Sequence, residues 1–264
     1  MNSANVTGLF TQGLLMHFPR RLLLCATLLP AFALAAEPHA SWSYDGANGP
    51  KNWGSLQAEF SGCKLGHEQS PIDIRATSKS TLPALNFSYA PTPLHIIDNG
   101  HTVQVNYAPG SKLSIDGHEY QLLQFHFHTP SEESIKGHRY PLVAHLVHRD
   151  ADGKLAVVAV LFKRGKANPL VQTVWQSIPK EKEVQQDPDG VTLDLSQLLP
   201  AAHGYYNFAG SLTTPPCSEG VNWYVLKTPV ELSAAQLRRF TSLYPHNARP
   251  LQPLLGRAVL ESAD

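Results

Sequence analysis

Gln124-Phe125-His126-Phe127-His128 holds the residue types best suited to chemistry in this chain. Alternate residues of a β-strand share a face, so His126 and His128 project together while Phe125 and Phe127 turn into apolar packing. Two imidazoles on one strand face form half of a metal site. Seventeen residues past His128, Ala144-His145-Leu146-Val147-His148 offers a third imidazole on another strand-like run. Three histidines with an open fourth position describe a catalytic rather than a structural zinc site. A bare His-x-His also reads as a pair of structural strand histidines, so the rest of the chain has to decide. His148 falls on the opposite face from His145 and Val147 and reads as a hydrogen-bonded structural histidine. Three other groups are candidates to complete a reaction centre: Glu132, just past His128; the hydroxyl-bearing loop over residues 210–217; and His101, directly after Asn99-Gly100.

Short strands must position these residues. The 21 prolines and 18 glycines are spread without a repeat, which suits a loop-rich β fold better than a helix bundle. Strand-like runs recur at 94–98, 102–107, 112–115, 122–128, 142–148 and 155–163, with hairpin signals at Asn99-Gly100, Asp116-Gly117 and Asp152-Gly153. The run 155–162 is apolar almost throughout, as expected of a central strand buried on both faces. Two helices are predicted. One starts at the Asn168 cap with Pro169 in its first turn, and the other at the Ser233-Ala234-Ala235-Gln236 capping box. Residues 36–61, rich in aromatics and glycine, read as an ordered, irregular arm. The predicted fold is mostly β (α+β): one domain over residues 36–264, built on a large, mostly antiparallel central sheet with a few short surface helices.

A chain of 264 residues with 42% hydrophobic content can bury one sizeable core. Its balanced formal charge gives no argument for a nucleic-acid partner or an anionic membrane surface. Residues 1–35 read as a signal peptide, with Met16 an alternative start: Arg20-Arg21 precede an apolar run that ends at an Ala33-x-Ala35 cleavage site. That run is too short and too poorly flanked to span a membrane, so no membrane anchor is expected. The protein is thus expected to be exported, to the periplasm or beyond. Cleavage leaves Cys63 and Cys217, an even pair that in an oxidising compartment favours a disulfide over two free thiols. Closing so long a loop is worth roughly 4–5 kcal/mol in the chain-entropy model.

Taken together, the ordered motifs resemble the α-class carbonic anhydrases of bacterial, exported type. The resemblance rests on Gln124 to His128, Ser131-Glu132, His145 to His148, residues 210–216, Asn99-Gly100-His101, Asn48-Gly49-Pro50-x-x-Trp53, Gln69 to Asp73, Trp223 and Asn247-x-Arg249-Pro250. It implies that His126, His128 and His145 hold Zn²⁺, that a zinc-bound hydroxide attacks CO₂ to give bicarbonate, and that His101 shuttles the proton. Lowering a water's pKa from 15.7 to about 7, a figure for which carbonic anhydrase itself is the reference case, corresponds to about 12 kcal/mol. The resemblance further implies that Thr213 accepts from the hydroxide and donates to Glu132, and that Thr214 contacts substrate or product. Val147, Val157, Leu212 and Trp223 would form the apolar wall facing CO₂, with Tyr44, Asn99 and Gln104 organising water. Cys63 and Cys217 would pair. Core packing is the competing reading for the apolar residues. A monomer and a homodimer fit equally.

One departure from the family pattern stands out: Val143 occupies the place of a glutamate that commonly hydrogen-bonds the third ligand, while Glu133 reads as a solvated loop acid. Two rivals remain at this point. A cupin-type metal oxygenase would recruit Glu132 as a ligand beside His126 and His128. A non-catalytic carbonic-anhydrase-like binding protein would keep the fold without the reaction.

Overall fold

The computed structural model describes residues 41–263. The expected signal segment, including Cys25, lies outside the described residues. Ala40–Asp264 forms one compact unit. Seven strands and two helices concern the site: β1 (His95–Asp98), β2 (Val103–Asn106), β3 (His118–His128), β4 (Leu142–Arg149), β5 (Leu155–Arg164), α1 (Pro169–Gln176), β6 (Tyr205–Ser211), β7 (Glu219–Leu226) and α2 (Ala234–Thr241).

These strands belong to a twelve-stranded sheet in the order Ser78–Ser80, Leu260–Ser262, β6, β7, β5, β4, β3, β2, β1. Lys112–Ile115 and Leu85–Ser88 extend it beside β3, and Val230–Leu232 pairs with β5. Three pairings are parallel: β5 with β7, β5 with Val230–Leu232, and Leu260–Ser262 with Ser78–Ser80. The sheet is therefore mixed, with antiparallel pairs in the majority.

The expected turns fall between the expected strands. Asp116 and Gly117 both take positive φ (50° and 76°), as a two-residue type I′ turn requires before β3. Within β5, residues 156–162 are buried without interruption, which agrees with a central strand covered on both faces. One face of the sheet forms the larger core, where Phe125, Phe127, Leu146 and Phe162 meet Trp175 of α1 and Phe240 of α2. The opposite face carries a smaller cluster of Val143, Val147, Val157, Leu161 and Trp223, packed against Ile72 and Ile74. The alternation read in Phe125-His126-Phe127-His128 is thus realised: phenylalanines into one core, histidines onto the other face.

Both predicted helix starts are present. Asn168 accepts a hydrogen bond from the Val171 N–H, and Ser233 and Gln236 form a reciprocal capping box. Gln236 also accepts from the Asn168 N–H and donates to its carbonyl, at 2.9 and 2.7 Å, which locks the two helix ends together. Several elements were not among the predicted runs: β6, β7, Val230–Leu232 and Leu260–Ser262. The N-terminal arm contains a single helical turn at Trp53–Leu56, and another follows it at Gly62–Leu65. Neither has a side-chain cap; buried Trp53 and the Cys63–Cys217 disulfide anchor them instead.

Candidate metal centre

Cross-strand register puts the predicted ligands side by side. Gln104 of β2 faces His126 of β3, which faces His145 of β4. The neighbouring row on the same face runs from Gln124 through Val147 and Val157 to Trp223. On the other side, His128 pairs with Val143. His148 turns to the larger core, where Nε2 meets the Tyr89 hydroxyl at 2.7 Å and Nδ1 the Ala156 carbonyl at 3.2 Å, as expected of a structural histidine.

In each of the three predicted ligands one ring nitrogen is engaged and the other is left over. His126 Nδ1 meets Gln124 Oε1 at 2.8 Å, His128 Nδ1 donates to the Asn247 carbonyl at 2.7 Å, and His145 Nε2 lies 3.2 and 3.3 Å from the two oxygens of Glu133. Such partners fix the tautomer and aim the remaining lone pair. The unused nitrogens are Nε2 of His126 and His128 and Nδ1 of His145; the ligand atoms of the three lie within 4.8 Å of one another. His128 Nε2 is buried with no hydrogen-bond partner, an unfavourable state unless a metal takes its lone pair. Three neutral imidazoles are a donor set that suits zinc. Burial, followed by the charge of His145, pushes His126 down to about 3, and burial holds His128 well below the usual histidine range. His145 moves the other way: burial lowers it, but the charge and hydrogen bond of Glu133, with Glu132, raise it further.

Glu133 corrects the sequence reading. It is fully buried, not solvated, and it is the acid that meets His145, which Val143 cannot do. The signal available in the sequence was only a second acid beside Glu132. Gln124, Asn247 and Arg249 were visible as motif residues without assigned roles. Asn247 ties several pieces together: its side chain accepts from Thr129 N–H and donates to the Phe127 and His101 carbonyls.

Glu132 is likewise buried. Its Oε1 accepts from the Arg249 backbone N–H at 2.8 Å, and the Thr213 side chain hydrogen-bonds its carboxyl group. Oε2 stands 3.6 Å from His128 Nε2 and 3.8 Å from His145 Nδ1. Burial pushes Glu132 up to about 7; His145, Thr213 and the Arg249 N–H pull it down, and Glu133 adds to the rise. Arg249, itself buried, donates to the carbonyls of Ser70 and Cys63.

The Thr213 loop is closed by backbone bonds from Leu212 to Ser218 and from Cys217 to Thr214. Ser70 and Ser211 exchange backbone-to-hydroxyl hydrogen bonds, and Trp223 Nε1 donates to the Ser211 carbonyl. Val147, Val157 and Trp223 are buried in one row, and partly buried Leu212 packs on that cluster. The Trp223 ring meets His145 edge to face at 4.9 Å, so the apolar row borders the ligand set. Thr214 is half-buried in the same loop.

His101 sits on the β1–β2 turn, half-buried and stacked on Trp42 with ring centroids 3.6 Å apart. Its backbone N–H and that of Thr102 donate to Asn99 Oδ1. Burial, ahead of the raising effect of Glu183, lowers the His101 pKa. Asn99 Nδ2 donates to Gln104, which donates to Asn106. Tyr44 is partly buried, and burial raises its hydroxyl well above the usual tyrosine range.

The family model for eukaryotic-type carbonic anhydrase matches residues 48–263. The carbonic anhydrase of Nostoc sp. is 44% identical over 227 residues, covering 84% of this chain and 86% of the relative. That of Neisseria gonorrhoeae is 45% identical over 254 residues, covering 93% and 99%. The structure of the α-carbonic anhydrase from Thermovibrio ammonificans with the inhibitor sulfanilamide superposes with a TM-score of 0.80 at 42% identity, covering 84% of this chain and 99% of that one. These matches exclude the cupin reading, whose extra ligand Glu132 is in any case held by Arg249 and Thr213. The chain belongs to the α-class, eukaryotic-type carbonic anhydrase family and is an enzyme of that class.

Proposed function

We propose that this enzyme catalyses the zinc-dependent, reversible hydration of CO₂ to bicarbonate and a proton, with His126, His128 and His145 holding the metal. The observation that carries the reading is the set of three ring nitrogens left free while the opposite nitrogen of each ring is engaged by Gln124, Asn247 or Glu133. When bound, zinc lowers the pKa of a water molecule to about 7, carbonic anhydrase being the reference case of that effect.

The chain's own residues do the rest. Wherever Glu132 is ionised it accepts only, so Thr213 donates to it and the Thr213 oxygen lone pair is left to accept a hydrogen bond from the attacking oxygen. Glu132 is held for this by the Arg249 N–H. Val147, Val157, Leu212 and Trp223 present an apolar surface to CO₂, and Thr214 contacts CO₂ or bicarbonate beside it. His101 takes the released proton to solvent, with Tyr44, Asn99 and Gln104 ordering the water between. An unperturbed imidazole titrates near 6.5, and burial lowers His101 from there, so the ring passes a proton on to solvent readily. The disulfide agrees with an exported, periplasmic enzyme carrying a cleaved signal peptide over residues 1–35. No helix among the described residues is long and apolar enough to cross a membrane.

Stopped-flow CO₂ hydration by the purified protein tests the reading. Activity that is lost on chelation, restored by zinc and blocked by sulfanilamide is expected. Inactivity of a zinc-reconstituted, folded sample would overturn it.

A further inference from the structure

On β4 the residue beside His145 offers it no acceptor, and the loop after β3 does. On β4, Val143 lies two residues before His145 on the same sheet face, directly opposite His128, and is buried in the apolar cluster with Ile72 and Ile74. Val143 itself offers His145 no hydrogen-bond acceptor from that position. Ten residues earlier in the chain, Glu133 brings its carboxylate to the ring from a different element.

The loop that carries Glu133 is built to hold it still. Ser131 donates through Oγ to the Glu133 carbonyl at 2.7 Å and accepts there from the Tyr140 N–H. Ser134–Ile135 pairs in parallel with Asp73–Ile74 and antiparallel with His138–Arg139. Both oxygens of Glu133 stand about the same distance from His145 Nε2, at 3.2 and 3.3 Å. Among the described residues the carboxylate forms no ion pair with a lysine or arginine. A fully buried carboxylate facing a single imidazole is strongly disfavoured unless that ring carries positive charge. A cation on the far nitrogen of the same ring, Nδ1, resolves that imbalance in a carboxylate–histidine–metal triad.

We propose that Glu133 is the positioning residue for the third zinc ligand, accepting the His145 Nε2–H so that Nδ1 points at the metal, and that it replaces from the loop an acid absent at Val143. This rests on the zinc reading above but is separable from it. The rate at which zinc passes from the intact holoenzyme to a competing chelator reads the effect directly. Glu133→Ala is expected to release zinc about 10–100-fold faster. The isosteric Glu133→Gln, which guards against loss of folding, is expected to release it faster than wild type as well. In ¹⁵N-labelled holoenzyme, the slowly exchanging His145 Nε2–H signal of the wild type should be lost in Glu133→Ala. Adding Val143→Glu to Glu133→Ala should slow zinc release again, a rescue that mere filling of the loop could not give. Wild-type release rates and an unchanged N–H signal in both Glu133 variants would overturn the proposal while leaving zinc binding intact. A wild-type protein that takes up no zinc would instead overturn the reading beneath it.

Discussion

At the scale of single residues, burial acts on two histidines with different tasks, proposed proton transfer at His101 and packing at His148. His101 lies flat on the Trp42 indole, ring planes 11° apart, on a turn fastened by Asn99 and Asn247. Burial lowers its pKa, so the ring is neutral at neutral pH and ready to accept. NMR titration should place it below 6.5; a value at or above 6.5 contradicts this. His101→Ala is expected to slow turnover about 10²-fold or more in weak buffer and to recover with added imidazole. Equal rates without rescue would remove the shuttle role. Buried His148 is pushed down to about 4, burial outweighing its hydrogen bonds to Ala156 and Leu146. The unfolded ring binds its proton near 6.5, so between the two values the unfolded state holds more protons and stability falls as pH falls. Replacing His148 with Gln should therefore flatten the loss of stability from pH 6.5 to 4 by about 3 kcal/mol, measured as the difference between the two denaturation profiles. At this scale the grouping of His126, His128 and His145 was legible because each has a motif around it. Glu133 was not, because an acid's burial depends on how its loop docks against Asp73–Ile74, which local pattern does not encode.

At the scale of elements, the Thr213 loop is fixed from outside itself. Gly210 ends β6 so close to its neighbours that a Cβ there would lie 2.2 Å from Ser70 Oγ and 2.8 Å from Trp223 Cδ1. Gly210→Ala must therefore push apart the Ser70–Ser211 hydrogen-bond pair that anchors the loop. We expect a stability loss of about 1–3 kcal/mol and a lower kcat at unchanged zinc content. Wild-type kcat in a folded, zinc-loaded variant would mean that this anchor does not position Thr213. The hairpins around β1 to β5 were legible because turn chemistry and alternation agree locally. The parallel pairing of β5 with β7 was not, since a parallel neighbour needs a long connection and leaves no turn signal at its register.

At the scale of the whole molecule, the Cys63–Cys217 bridge closes a loop spanning 154 positions and joins the helical turn Gly62–Leu65 to the end of the Thr213 loop. Cys217 itself takes φ +57°, a conformation that costs a non-glycine residue about 1–2 kcal/mol. Replacing both cysteines with serine should lower stability by roughly 4–5 kcal/mol and reduce kcat. Unchanged unfolding and activity would show the bridge to be dispensable for both. The mostly β character was legible from composition and turns, whereas the two-sided core emerged only once the register of β3, β4 and β5 was known.

The central claim is that three imidazoles, and no carboxylate of the protein, hold zinc. X-ray absorption at the zinc edge of the purified holoenzyme tests it most directly. The account predicts one zinc per chain with three nitrogen neighbours at about 2.0–2.1 Å and one oxygen from water, and loss of that signal in His145→Ala. A first coordination sphere containing Glu132, or a folded wild-type protein that retains no zinc, would contradict it.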